Sequence, residues 1–222
     1  MHPALQILVF TALFAILHLA IMVFCARCLG LVIRSITFGI GPTLYAQGKL
    51  SIKALPFSGS LTLKDSREET LETNECLDAF NFQPLWKQVL LPLSAPLCLL
   101  LLSFGLLGMQ GWTSFLSAFV QIIDGALAPL STAQDYLHAW DTYATTHTLP
   151  LAFALLTTKL CAFNLLPFAG LNGGQALLNL LRWGKPDAPW QASAMIWMLI
   201  PGLAILASWV AALAYHFLQT II

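Results

Sequence analysis

The chain reads as an all-α polytopic membrane protein with about four transmembrane helices and a small membrane-associated β-loop after the first. Three observations predict this. Of 222 residues, 58% are hydrophobic and only 9% charged, where a soluble domain carries about a quarter charged residues. Mean hydropathy is +0.78. Four long apolar stretches are separated by a segment of alternating polarity and by loops that hold most of the charge. Net charge is zero with no basic tail, so nothing points to nucleic acid. The five cysteines are scattered through apolar stretches and one acidic loop, which is not a disulfide framework.

The first span is expected at about 5–26, ending where Arg27 and Gly30 bring a snorkelling charge and a helix breaker. No Lys or Arg precedes it and no small-residue cleavage site ends it, which argues against a signal peptide. Residues 38–64 alternate apolar and polar around Gly39, Gly41, Gln47-Gly48 and Pro56-Phe-Ser-Gly59, predicting a β-loop with one apolar face. Residues 65–87 are acidic and read as a solvated cytoplasmic loop. A second span is predicted at about 89–107, with Pro92 and Pro96 in its first turns. Residues 108–148 form an external or interfacial segment, because Asp124, Gly125 and Pro129 interrupt the apolar run from Trp112 to Leu130. The third and fourth spans are expected at about 149–167 and 192–217. The whole of 1–222 then makes a single membrane domain.

Charge distribution orients these spans. Seven of ten Lys and Arg lie between Arg27 and Lys87, and Arg182 and Lys185 flank the last turn. The positive-inside rule puts both of those segments in the cytoplasm and both termini outside.

The third span breaks at Asn164-Leu-Leu-Pro167-Phe-Ala-Gly-Leu171-Asn172-Gly173-Gly174-Gln175. Pro167 and the glycines are poor helix, and helix is expected to resume at Gln175. Irregular backbone at membrane depth survives only where protein or trapped water satisfies it. The break is therefore either a kink or the wall of a polar pocket.

This run resembles the third-helix motif of the site-2 protease family of intramembrane zinc metalloproteases, bacterial type, which reads Asn-x-x-Pro-x-x-x-Leu-Asp-Gly-Gly. His18-Leu19-Ala20-Ile21-Met22, followed by Ala26-Arg27 and Gly30, is similar to the family's first-helix motif, His-Glu-x-x-His. Phe38-Gly-Ile-Gly and Pro56-Phe-Ser-Gly59 resemble its membrane-reentrant β-loop. Asp78-Ala-Phe-Asn81 with Trp86-Lys-Gln resembles its entrance to the second helix. The resemblance runs from about Phe14 to Arg182 and implies a site-2 protease-like core. The segment from Gly108 to Pro150 is too short to hold the PDZ module that many members carry.

In the family, two His at i and i+4 and the Asp of the third-helix motif bind zinc, and the Glu is the general base. The resemblance therefore puts the ligand positions at His18, Met22 and Asn172 and the base position at Leu19. A thioether and a neutral amide are weak zinc donors, and Leu19 moves no proton. The expectation is a catalytically degenerate homologue, with no cofactor, that binds a transmembrane or membrane-associated partner without cleaving it, in the lipid bilayer of a bacterial inner membrane. Asn164, Pro167, Gly173, Gly174, Lys159, Pro56 and Gly59 are the candidate pocket and partner-binding residues. Lys159, the lone basic residue within a predicted span, is expected to reach Asn172 or Asn164. The alternatives are an active metalloprotease, zinc-dependent with a non-standard site, and a soft-metal protein. The latter would use His18, Met22 and Cys25, with Cys28 or Cys161, to hold copper.

Overall fold

A computed structural model describes residues 2–72, 76–183 and 189–221; Glu75 and Lys185 lie outside the described residues. Helix α1 runs from Pro3 to Cys28. Pro3 suits the first helical turn, and the His2 ring accepts from the Ala4 amide at 3.3 Å. At the other end Lys87 Nζ donates to the Leu29 carbonyl at 2.8 Å, a cation placed where the helix dipole favours one.

Two antiparallel strands follow, β1 (Ile33–Gln47) and β2 (Leu50–Leu63). Pairing begins five residues earlier than the expected β-loop, since three of the five residues from Ile33 to Thr37 (Ile33, Ile36, Thr37) are β-branched. The ribbon curls on itself. Ile36, Thr37 and Phe38 pair with Leu61, Ser60 and Gly59 on one side and with Leu50, Ser51 and Ile52 on the other. Gly39, at φ +94°, permits the bend: a Cβ there would sit 2.8 Å from the Leu55 carbonyl oxygen. Beyond the sheet the acidic segment is only partly solvated. Asp65 is buried and accepts from the Arg67 guanidinium at 2.8 Å, and Lys64 is buried too.

Helix α2 spans Leu85–Leu107 with Pro92 and Pro96 inside it. Proline lacks the N–H that would bond the carbonyl four residues back. The carbonyl that Pro92 leaves open is that of Gln88, and Asn179 Nδ2 donates to it at 2.8 Å from a later helix. Helix α3 (Met109–Leu127) has a stripe of buried small and apolar residues, Gly111, Ala118, Ile122 and Gly125. Ala118 and Ile122 of this stripe pack against Ala162 and Leu166, and Gly125 lies against the Trp209 ring. Helix α4 (Thr132–Thr146) lies across the beginning of α1. Gln6 Nε2 donates to the Ala144 carbonyl and Trp140 Nε1 to that of Pro3, both at 3.4 Å.

Helix α5 covers Leu149–Asn164 and α6 covers Asn172–Arg182. Helix resumes at Asn172, three residues before Gln175, and its first turn lies directly on the break. A Cβ on Gly173 would fall 2.1 Å from the Leu165 carbonyl oxygen, and one on Gly174 2.0 Å from that of Phe168. Two glycines at a helix start are weak helix formers, and here the close approach requires them. Arg182, expected in a cytoplasmic turn, is 4% exposed and donates to the Gln88 side-chain oxygen.

Helix α7 (Pro189–Ile221) closes the chain, meeting α3 and α4. Among the described residues three helices are long and apolar enough to cross a membrane: α1, α2 and Ser193–Gln219 of α7. The fourth apolar helix, α5, has 16 residues, about 24 Å at 1.5 Å per residue, short of a ~30 Å hydrocarbon core. The fold is thus mostly helical, with one small sheet. Two helices, and no β-domain, occupy the chain between α2 and α5.

Candidate functional site

The centre of the molecule is built by α1, the hairpin and the break between α5 and α6. Buried His18 projects from the middle of α1, and its Nε2 lies 2.6 Å from Asn172 Nδ2 in the first turn of α6. The two side chains are hydrogen-bonded, with donor and acceptor set by the imidazole tautomer. The Phe14 ring flanks the imidazole at 5.6 Å between centroids. The adjacent residue, Leu19, is also buried and faces the hairpin: a Cβ built on Gly59 would lie 3.1 Å from Leu19 Cβ. Strand β2 thus rests on Leu19 with only a hydrogen at the point of contact.

Sequence positions 154 apart, His18 and Asn172, come together, and so do Leu19 and Gly59. Gly173 and Gly174 form the close contact under Asn172. Met22 is half-buried one turn beyond His18, Pro56 is half-buried in β2, and Pro167 is exposed in the break. Asn164 turns back to its own helix, donating to the Leu160 carbonyl at 3.0 Å.

Lys159 does not meet the expectation placed on it. Its ammonium donates to Gln121 Oε1 at 2.7 Å, the Ser114 carbonyl at 2.9 Å and Ser117 Oγ at 3.3 Å, all on α3. Five residues separate Lys159 from Asn164, which is about 140° around a helix of 3.6 residues per turn. The two side chains therefore leave α5 on different faces, and the ammonium's three protons find three oxygens away from Asn172. Nor is the soft-donor set gathered in one place. Cys25 packs with Val23, Leu29 and Ile36 beside the hairpin, whereas Cys161 packs with Phe14, Leu99 and Leu100.

A second constellation escaped the sequence reading. His138 and Asp141, one turn apart on α4, meet His216 of α7, with ligand atoms of all three within 4.8 Å of one another. His216 Nε2 lies 2.9 Å from Asp141 Oδ2, and the two imidazoles are edge-to-face at 5.0 Å. The i, i+3 spacing of a His and an Asp was visible; their convergence with a histidine 75 residues later was not.

The profile of Peptidase family M50, the site-2 protease family, matches residues 7–208, which takes in the His18 and Asn172 positions, the hairpin and most of α7. The chain belongs to Peptidase family M50. No curated protein matches it closely. Members of M50 that are active are membrane metallopeptidases and usually use zinc. The residues at the family's ligand positions, His18, Met22 and Asn172, do not suit that ion. One imidazole, one thioether and one neutral amide make a poor donor set for a dication.

Proposed function

We propose that this M50 chain is a pseudoprotease, which binds a transmembrane or membrane-associated protein partner without cutting it. The observation that carries the reading is Leu19. Where an M50 enzyme of the usual type has its general base, a buried hydrocarbon side chain packs on the hairpin backbone at Gly59. A hydrocarbon side chain cannot take a proton from an attacking water. Asn172 beside His18 supports the same reading, since a neutral amide at the carboxylate position brings no charge to a dication.

The binding half of the proposal rests on the hairpin. Ile40, Leu44, Tyr45, Leu55 and Phe57 are exposed along a ribbon with open edges. Such an edge adds an extended segment through main-chain hydrogen bonds, with apolar side chains for selectivity. Pro56 and Gly59 lie on this ribbon, and the break that holds Pro167 leads to the His18–Asn172 contact, Asn172 following Pro167 by five residues. We place the chain in a bacterial inner membrane as one domain with both termini outside the cytoplasm. Trp140 against Pro3 and Asp141 against His216 support same-side termini, because α4 touches the start of α1 and the end of α7.

A photo-crosslinking residue at Leu44 or Phe57, in cells expressing a single-pass membrane protein library, tests the proposal. The expected product is a crosslinked partner of full length. Absence of any partner overturns the binding role; a truncated partner whose truncation disappears in His18→Ala overturns the non-cleaving role.

A further inference from the structure

The cluster of His138, Asp141 and His216 lies outside the M50 centre. The residues of α1 that α4 touches, Pro3 to Phe10, precede His18 by eight to fifteen positions, which is roughly 12–22 Å along the helix. A buried histidine needs one acceptor, and Asp141 supplies it to His216 at 2.9 Å. A second imidazole turned edge-on to the same ring, with its own nitrogen within 4.8 Å of that carboxylate, is not required by that hydrogen bond. We infer that His138, Asp141 and His216 form a site for a borderline divalent transition metal of the zinc class, which ties α4 to α7.

The donor chemistry selects the ion. Two imidazoles and one carboxylate suit zinc and its first-row neighbours, whereas calcium and magnesium take oxygen-only shells and copper(I) takes thiolate or thioether. Ligands about 2.0–2.2 Å from a tetrahedral zinc are roughly 3.4 Å from one another, and separations between 2.9 and 4.8 Å bracket that value. His138 is exposed and free to close the difference by rotation, and it opens the site to solvent for the ion's arrival. Three protein ligands leave a fourth position for water. The location gives the metal a structural purpose. The spanning part of α7 is the least buried of the three candidate spans, with 6% of its window inside the protein. A bond between residues 138–141 and 216 would add to the hydrogen bonds that hold Ser208, Trp209 and Ala212 of that helix to Ala126, Ile122 and Gln134.

Zinc titration of the full-length protein in detergent tests the inference, read by elemental analysis and by the visible absorption of a cobalt(II)-substituted sample. One equivalent per chain is expected, with the intense bands of a four-coordinate cobalt site. His138→Ala, at an exposed position, is expected to weaken zinc binding at least roughly 100-fold. His18→Ala is expected to bind as the unmodified chain does. No stoichiometric zinc in the unmodified chain, or undiminished binding by His138→Ala, overturns the inference. Zinc lost in His18→Ala and retained in His138→Ala overturns it as well, and separately contradicts the pseudoprotease reading.

Discussion

Leu19 and His18 are neighbours on one helix with opposite chemical situations. The imidazole keeps a polar partner, Asn172, while the side chain beside it is sealed against Gly59 by hydrocarbon contact. Both identities were legible, because the motif spacing fixes which residues take the ligand and base positions. Lys159 was legible only as a costly intramembrane charge. Its partners were not, because Gln121, Ser117 and Ser114 belong to a helix whose packing face no local pattern assigns to α5. The structure gives that charge a testable energetic role. Lys159→Leu would leave the Gln121 amide oxygen and the Ser117 hydroxyl without their cation, a loss of about 1–3 kcal/mol. Denaturant unfolding in micelles should show that loss, and Lys159→Leu/Gln121→Leu should recover part of it as a coupling between contacting residues. Equal stability of Lys159→Leu and the unmodified chain would mean that the three hydrogen bonds do not hold α3 to α5.

At the scale of elements, the break between α5 and α6 is a packed joint. Its existence was readable from Pro167 and the glycines, but its end was misplaced by three residues. Glycine is a weak helix former in isolation, whereas here Gly173 and Gly174 let the first turn of α6 lie on the carbonyls of Leu165 and Phe168. Gly174→Ala places a methyl 2.0 Å from a backbone oxygen that has no rotamer by which to yield. The expected cost is about 3 kcal/mol, at the upper end for overpacking, read as a lowered midpoint in the same unfolding experiment. An unchanged midpoint would contradict the close joint. The same logic explains α2. Pro92 is legible in the first turns of the span, and its consequence appears only in three dimensions, where the Gln88 carbonyl it leaves open is taken by Asn179. That bond, with the Arg182–Gln88 contact, draws the end of α6 to the start of α2 and so fixes where α6 presents Asn172.

For the molecule as a whole, α1, α2, α5 and α6 enclose the family's site, and α3, α4 and α7 pack around them. Fold class and family were legible because membrane spans are long, apolar and punctuated, and because the third-helix motif is long. The His138–Asp141–His216 cluster was not, since it depends on where α4 crosses α7. Two metal questions therefore coexist in one chain, at His18 and at His138, and bulk metal content alone would confuse them. The direct test of the central claim is zinc bound at His18, measured by elemental analysis of full-length His138→Ala protein beside His138→Ala/His18→Ala, both purified in detergent and equilibrated with zinc. The account predicts equal, substoichiometric zinc in the two proteins. One equivalent of zinc in His138→Ala that vanishes when His18 is also removed would contradict it.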